Sequence, residues 1–312
     1  MKIFRGLKEL PRITRPILTV GTFDGVHIGH RQILDRLNTI AEAEQGESML
    51  MTFWPHPRMV LNPDDDSLKL LNTLDERAGL LREAGLKNLL IIEFTIDFSR
   101  TTSLEFVQQI LVDAIGVHTL VIGYDHHFGK NREGSLEQLA ALAPKYGFAL
   151  EEISAQQIDD VNVSSTKIRK ALEAGQIEQA NEFLGYSYFL QGTVAAGEKL
   201  GRQLGYPTAN IQLNEPYKLI PADGVYVAEI IIGNESWYGM LNTGLNPTIE
   251  GKGRTIEVHI FNFTDDIYGK EICIRFLYRM RDEIKFESVD ELKEQMEADQ
   301  HHAFELLEKH KT

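Results

Sequence analysis

The stretch "ILTVGTFDGVHIGHRQIL", residues 17–34, decides the predicted fold of the first half of this chain. It opens as an apolar strand and ends with the spacing of a helix. Between these two parts lie three glycines together with His27 and His30. Parallel α/β sheets bind ligands where a strand passes through a glycine turn into a helix, because the first N–H groups of the helix are unpaired and attract anions. We therefore expect an anion site at this turn.

The two histidines are open to three interpretations. Residues three apart share one helix face, so His27 and His30 can both donate ring N–H groups to a phosphate. They can also form a helix cap with one packed and one exposed ring, which spacing alone favours, or half of a zinc site that needs further ligands. The glycines are four residues apart and no Gly-Lys-Ser/Thr follows, so the dinucleotide fingerprint and the Walker A loop are both excluded.

The remainder of the chain indicates two domains. Alternating strand and helix patterns from residue 17 to about residue 153 predict a parallel sheet with helices on both faces. From about Ser187, strand-like segments separated by turns predict an antiparallel barrel or sandwich, followed by a final α-helix within residues 288–310. We expect the domain boundary near Gly185, which gives domains at residues 1–185 and 186–312.

Composition limits the classes of protein that fit. The chain has 312 residues, 43% of them hydrophobic, with no apolar run long enough to cross a membrane and no signal-peptide pattern at its start. Cys273 is the only cysteine, which excludes an internal disulfide, and together these features favour the cytoplasm. A net charge of −14 argues against nucleic-acid binding. We expect a monomer or a weak homo-oligomer.

Two motifs in the first half carry a family resemblance. "GTFDGVHIGH" resembles the HxGH signature of the nucleotidylyltransferase superfamily, and "VSSTKIRKAL" at residues 163–172 resembles its ISSTxIR segment. The resemblance implies a Rossmann-like nucleotidylyltransferase domain in which His27 and His30 stabilise the transition state at the α-phosphate of a nucleotide. The residues it implies for ATP binding are Gly21, Phe23, Asp24, Gly29, Ser164, Ser165, Thr166, Lys167 and Arg169.

Two further segments resemble a narrower family. "TFWPHP" at residues 52–57 and "GYDHHFGKNREG" at residues 123–134 each follow a predicted strand, on the binding side of the sheet. Both resemble the corresponding segments of bacterial FAD synthetases. That resemblance implies a flavin pocket formed by Phe53, Pro55, His56, Asp125 and Phe128.

A second glycine-rich motif, "GEKLGRQLGYPTAN" at residues 197–210, lies in the second domain. Thr208 and Asn210 share one face of a strand and offer the oxygen ligands that Mg²⁺ prefers. The whole segment resembles the signature of riboflavin kinase. The resemblance implies that Thr208 and Asn210 hold the metal and that ATP is bound by Gly197, Lys199, Gly201, Arg202, Pro207, Thr208 and Asn210.

The strand "TIEVHIFNF" resembles the strand of riboflavin kinase that carries its catalytic carboxylate. Glu257 falls in that position, on the side of the strand opposite Ile256 and Val258. The resemblance implies that Glu257 is the general base, and that Arg281 and Glu283 contact the flavin.

Taken together, the motifs resemble the prokaryotic bifunctional riboflavin kinase/FMN adenylyltransferase family over nearly the whole chain. This implies phosphorylation of riboflavin to FMN by ATP and Mg²⁺, and then adenylylation of FMN to FAD by a second ATP. The alternatives are a nucleotidylyltransferase with another acceptor, such as a cytidylyltransferase or a pantetheine-phosphate adenylyltransferase, and a flavin-binding protein without activity.

Overall fold

The structure, a computed structural model, describes residues 1–65, 67–123, 128–130, 133–153, 163–195, 205–245 and 254–310. The chain forms two compact units, Met1–Ser165 and Thr166–Thr312. Within the described residues, no helix has both the length and the apolar character needed to cross a bilayer.

The first unit alternates strands and helices. Its strands are β1 (Lys2–Arg5), β2 (Pro16–Val20), β3 (Glu47–Trp54), β4 (Asn88–Glu93), β5 (Thr119–Gly123) and β6 (Ala149–Ile153). Its helices are α1 (Ile28–Ala43), α2 (Pro57–Leu61), α3 (Leu74–Glu83), α4 (Ser103–Glu105) with a π-helical continuation over Phe106–Ile115, and α5 (Leu136–Tyr146). Short 3-10 turns occur at Leu7–Glu9 and Phe98–Arg100.

The six strands form one parallel sheet in the order β1-β4-β3-β2-β5-β6, as the sequence predicts. β2 pairs with β3 on one side and with β5 on the other. The strand order therefore reverses at β2, and the carboxyl end beside such a reversal is where open α/β sheets bind ligands. The glycine turn that follows Val20 lies at this position.

Apolar patterning explains the strand and the helix that flank this turn. All five residues of β2 are buried, as is usual for a central strand covered on both faces. α1 buries Leu34, Leu37, Ile40 and Ala41, whose spacing forms one helical stripe. The turn between them is thus held at both ends by packed elements.

The second unit is an antiparallel barrel with three helices among its described residues. Its strands close in the order β10-β11-β8-β7-β12-β9, so the predicted barrel, and not the sandwich, is correct. The strands are β7 (Phe189–Ala195), β8 (Ala209–Leu213), β9 (Gly224–Ile232), β10 (Glu235–Leu245), β11 (Arg254–Ile260) and β12 (Glu271–Arg281). The helices are α6, which begins at Ser165 and ends at Glu173, α7 (Ile177–Leu184) and the final α8 (Val289–His310).

The structure adds elements that the sequence patterns did not predict, among them β1, α2 and α7. Asn181 on α7 accepts the amide of Tyr188 at 2.7 Å and donates to the carbonyl of Phe276 at 2.9 Å, so α7 is tied to strand β12. The division after Ser165 lies before the boundary expected near Gly185, and that expected boundary stays a prediction.

Candidate functional sites

The glycine turn after β2 has an unusual backbone. Phe23 and Val26 have positive φ angles of 48° and 36°, and Gly25 has a φ angle of 89°. Non-glycine residues rarely adopt this conformation, and such residues concentrate at functional sites. At Gly21, an added Cβ would lie 3.0 Å from the ring of Phe23, so a side chain there would press on that ring. The turn therefore fixes both the path of the chain and the ring that packs on it.

His27 and His30 form a stacked pair at the start of α1. Their ring centroids are 3.7 Å apart at an angle of 17°, and the ring of His30 also stacks on Phe23 at 4.5 Å. His27 is the N-cap of α1, and its Nδ1 accepts the backbone N–H of His30 at 3.3 Å. The predicted cap is thus present at His27, but neither ring is exposed as that interpretation expected. The cap does not compete with a phosphate role, because it uses only Nδ1.

Both imidazoles are neutral at physiological pH. Burial lowers the pKa of His27 to about 4, against a smaller opposing effect of the Asp24 carboxylate. Burial also holds the pKa of His30 well below its usual value, and His27 and Arg77 lower it further. Since Nδ1 of His27 accepts a hydrogen bond, its hydrogen is on Nε2. His27 is therefore a neutral donor of fixed tautomer.

This shift predicts a dependence of stability on pH. In the unfolded chain His27 takes up a proton near pH 6.5, whereas in the folded chain it resists protonation until about pH 4. Above about pH 6.5 His27 is neutral in both states and does not destabilise the fold. As the pH falls from 6.5 toward 4, protonation of His27 in the unfolded chain lowers the free energy of unfolding. From His27 alone, we expect the free energy of unfolding to be about 2 kcal/mol smaller at pH 5 than at pH 7.

Urea denaturation at the two pH values measures this loss. His27→Asn keeps a capping side chain and has no imidazole, so the variant should lack that part of the loss. An equal change in wild type and variant would contradict the assignment.

Asp24 and Arg77 stabilise the turn through hydrogen bonds. The Asp24 carboxylate, which is 2% exposed, accepts the backbone N–H groups of Leu71 at 3.0 Å and Asn72 at 3.2 Å. The buried Arg77 on α3 donates from Nη1 to the carbonyl of Thr22. Arg77 belongs to no motif. The only sign in the sequence that it is buried is its position on a helix among apolar residues. Both side chains thus act on the shape of the turn.

The first unit ends within the segment that resembles ISSTxIR, which begins at residue 163. Ser165 is the first residue of α6, and its hydroxyl donates to the carbonyl of Asp24 at 2.9 Å. This bond joins the two motifs, which are 141 residues apart in sequence. Ser164, Thr166 and Lys167 are exposed and Arg169 is half-buried, whereas Gly29 is buried within α1.

The flavin candidates of this unit lie at the ends of strands, but not all are open. Phe53 at the end of β3 packs against Phe94 and Phe98 at 5.7 and 5.6 Å. Pro55 is exposed after a cis peptide bond, and the buried His56 caps α2 by accepting the N–H of Arg58. Phe128 is 7% exposed and belongs to the core. Asp125 is outside the described residues.

The barrel brings the metal and base candidates together. The hydroxyl of Thr208 donates to Oε2 of Glu257 at 3.3 Å. Glu257 on β11 lies opposite Asn210 on β8 and opposite Asn242 on β10. Three neighbouring strands therefore present polar side chains around one carboxylate.

Two cavities meet at Thr208. The first has a volume of about 240 Å³ and is lined by Thr208, Glu257, His259, Arg281, Glu283 and Asp299, with apolar residues of the barrel and of α8. The second has a volume of about 490 Å³ and is lined by Pro207, Thr208, Ala209 and residues of 263–268. Both are large enough to accept part of a small-molecule ligand.

Arg281 and Glu283 are fixed by polar partners at the wall of the first cavity. Arg281 donates from Nε and Nη2 to the carboxylate of Asp299 at 2.9 and 2.6 Å, a bidentate pair. Asp299, on α8, also accepts from Gln295 at 2.9 Å. Glu283 accepts from the amide of Asn242 at 3.3 Å. The sequence resemblance contained no indication of Asp299, which supports Arg281 from a distant helix.

The structure does not describe the glycine-loop candidates for ATP binding, and it gives the zinc interpretation of the two histidines no support. Gly197, Lys199, Gly201 and Arg202 are outside the described residues, so the glycine loop stays a prediction. Among the residues that the structure does describe, no group of three or more His, Cys, Asp or Glu side chains could hold a metal ion. The zinc interpretation of His27 and His30 therefore finds no further ligands there.

Two family models match the chain, one over each part. A family model described as FAD synthetase matches residues 11–167, and one described as riboflavin kinase matches residues 184–307. The chain also resembles a crystal structure named macrolide-efflux protein from Streptococcus pneumoniae, with a TM-score of 0.87 and 31% identity, over 96% of this chain and 98% of that one.

Curated relatives span nearly the same length. Bifunctional riboflavin kinase/FMN adenylyltransferases are 36% identical in Pseudomonas fluorescens and 34% identical in Escherichia coli K12, in each case over 96% of both chains. The protein from Listeria monocytogenes is 37% identical over 91% of this chain and 90% of the relative. The chain belongs to the bifunctional riboflavin kinase/FMN adenylyltransferase family.

Proposed function

We propose that the chain performs its family's two reactions at two separate sites, with the residues assigned below. The turn at His27 and His30 adenylylates FMN, and the barrel site at Thr208 and Glu257 phosphorylates riboflavin. ATP is the co-substrate of both reactions. The observation that carries the proposal is that each unit has its own polar centre, a neutral imidazole pair in one and a carboxylate beside oxygen ligands in the other.

At the first site, an oxygen of the FMN phosphate attacks the α-phosphorus of ATP. The bond from that phosphorus to pyrophosphate breaks, so the products are FAD and pyrophosphate. The FMN phosphate is already ionised, so the reaction needs positioning and charge stabilisation more than a base. We assign the Nε2 hydrogen of His27 to the α-phosphate, together with the ring of His30.

The remaining residues of the first site hold the substrates. Gly21, Phe23 and Gly29 shape the turn around the phosphates, and Asp24 contributes by fixing the turn through its bonds to the amides of Leu71 and Asn72. We assign the phosphate contacts of ATP to Ser164, Ser165, Thr166, Lys167 and Arg169. We assign the flavin contacts to Phe53, Pro55, His56, Asp125 and Phe128.

At the second site, the donor set fits a magnesium ion. Thr208 and Asn210 carry oxygen atoms, lie two residues apart at the start of β8, and flank a carboxylate. Mg²⁺ favours oxygen ligands, and keeps several waters and phosphate oxygens in its coordination shell. When bound, it would neutralise the phosphate charge of ATP. We propose that Thr208 and Asn210 hold it.

Glu257 takes the proton of the riboflavin hydroxyl that attacks the γ-phosphorus of ATP. The bond from that phosphorus to the bridging oxygen breaks, so the products are FMN and ADP. Riboflavin would occupy the first cavity, where Glu257, Arg281 and Glu283 form part of the wall, and the nucleotide would occupy the second. Because Thr208 lines both cavities, the hydroxyl and the phosphate would meet beside it. Pro207 and the glycine loop with Gly197, Lys199, Gly201 and Arg202 complete the ATP site.

The metal assignment predicts different results for two substitutions of Thr208. Thr208→Val removes the hydroxyl while keeping the shape, and it should raise the Mg²⁺ concentration needed for half-maximal FMN formation by roughly tenfold or more. Thr208→Ser keeps the hydroxyl and should stay within a few-fold of wild type. The measurement is a Mg²⁺ titration of both activities. Equal Mg²⁺ requirements in the two variants would exclude Thr208 as a ligand.

The overall function is tested by incubation with riboflavin, ATP and Mg²⁺, followed by chromatography. FMN and then FAD should accumulate, and supplied FMN should give FAD without prior phosphorylation. Formation of FAD from riboflavin without any FMN intermediate would contradict the proposed order of the two reactions. The proposal includes a cytoplasmic location, with which the single cysteine is consistent. It also includes a monomer or a weak homo-oligomer.

A further inference from the structure

His259 is a buried polar residue that the two reactions leave without a role. It follows Glu257 by two residues on β11, so both side chains leave the strand on the same side. It is 9% exposed, and it lines the first cavity together with Glu257 and Thr208.

The imidazole of His259 contacts the segment that carries Thr208. Its Nδ1 lies 2.9 Å from the carbonyl oxygen of Pro207. A carbonyl oxygen has no hydrogen to give, so Nδ1 must be the donor and the tautomer is fixed. The preceding residue takes part as well, because the ring of Tyr206 meets the imidazole edge-on at 5.3 Å.

The bond from His259 to the Pro207 carbonyl lies just beyond the end of the pairing between β8 and β11. The pairing of β8 with β11 joins Asn210 to Glu257 and Ala209 to Val258. The same register would place Thr208 opposite His259, one step beyond the last described pair. The side chain of His259 thus extends the connection between these two strands past the end of their pairing, to the carbonyl next to Thr208.

The imidazole is also held in place. Tyr206 packs on it at an angle of 70°, and Phe261 packs on it at 5.8 Å and 72°. A ring held by two aromatic neighbours loses little further freedom when it makes its hydrogen bond. An apolar ring would satisfy this packing equally well, so packing alone does not account for the polar atom.

We infer that His259 is a positioning residue of the kinase site, which holds the Pro207–Thr208 segment against Glu257 through the bond from Nδ1 to the Pro207 carbonyl. Thr208 is then fixed by two contacts, its own hydroxyl on Glu257 and the preceding carbonyl on His259. The inference rests on the proposed kinase role of Thr208 and Glu257. It adds a residue that touches neither the reacting atoms nor the metal.

Two substitutions separate the hydrogen bond from the packing. His259→Phe keeps a ring among the aromatic neighbours and removes the donor, whereas His259→Asn loses the ring but has a side-chain N–H near the place of Nδ1. We expect His259→Phe to lower kcat/KM of the kinase for ATP roughly tenfold, because displaced groups lose catalytic alignment. His259→Asn should stay within about threefold of wild type. FMN adenylylation should be unchanged in both variants.

Hydrogen exchange gives a readout that does not depend on activity. In His259→Phe, backbone amides of Thr208–Leu213 should exchange faster than in wild type, while those of β12 keep their protection. His259→Asn should restore slow exchange. The inference would be overturned if His259→Phe had wild-type exchange and kinetics. It would also be overturned if both variants lost the same amount of kinase activity, or if exchange were faster throughout the barrel. Thr208→Val in the same assays tests the kinase role of Thr208 separately, because its failure to affect the kinase would leave the exchange result intact.

Discussion

Replacing His27 with asparagine is expected to slow the formation of FAD from FMN by two to three orders of magnitude, while riboflavin phosphorylation keeps its wild-type rate. The imidazole of His27 uses Nδ1 to accept the amide of His30, and we propose that it uses the hydrogen on Nε2 to stabilise the α-phosphate. Asparagine is a strong N-cap, so its side-chain oxygen can replace Nδ1. The variant therefore keeps the cap but loses the donor, together with the stacking on His30. Losing one such donor typically costs roughly 10²–10³ in turnover.

Chromatography of reactions that start from FMN and, separately, from riboflavin measures the two rates in one preparation. His27→Ala should lose a similar amount of activity and, in addition, about 1 kcal/mol of stability, because it also removes the helix cap. His118→Asn is the matched control: His118 is a partly exposed histidine of the same unit that contacts Glu44 at 3.4 Å, and both activities should survive. Wild-type FAD formation in His27→Asn, or parallel loss of both activities, would show that His27 does not stabilise the transition state of adenylylation.

The sequence predicted the elements whose burial follows a simple period. The buried strand that opens the stretch 17–34, the alternation of strands and helices up to residue 153, and the final helix within residues 288–310 all match the structure closely. β1 was missed because it is a four-residue edge strand with mostly exposed residues. The π-helical turn over Phe106–Ile115 was missed because its apolar pattern resembles that of an ordinary helix.

The site was predictable where chemistry is carried by adjacent residues. The histidine turn and the pair Thr208 and Asn210 are short motifs, so the sequence alone proposes them as candidate sites. The supports of these motifs come from distant parts of the chain: the Asp24 carboxylate bonds the amide of Leu71, and Arg281 pairs with Asp299 on α8. Such contacts depend on tertiary structure, and no spacing rule reveals them.

The same limit explains two residues that the sequence described incompletely. The sequence patterns assigned His259 no role, since its partner, the carbonyl of Pro207, lies on a distant segment that precedes another strand. Phe128 was predicted to bind flavin, and its ring is mostly enclosed, 5.7 Å from Phe106. Exposure of an aromatic ring cannot be read from a motif, because it depends on what the fold packs around it.

The second large effect is expected from Glu257→Gln, which should slow riboflavin phosphorylation by roughly 10²–10⁴ and leave the conversion of supplied FMN to FAD unchanged. Glutamine keeps the length of the side chain and can still accept the hydroxyl of Thr208, but it cannot take a proton. The loss should therefore appear in kcat, with little change in the KM for riboflavin or ATP, because the shape of the cavity wall is preserved.

Glu229→Gln is the matched control for this change. Glu229 is a carboxylate on strand β9 of the same barrel, where it accepts from Arg275 at 3.0 Å, and it lines neither of the two described cavities. It should keep both activities, which would separate the position of Glu257 from the mere loss of a charge. A Glu257→Gln enzyme with a wild-type kinase rate would exclude proton transfer to this carboxylate. A raised KM with normal kcat would instead make Glu257 a binding group, since only interactions specific to the transition state lower kcat while leaving substrate affinity unchanged.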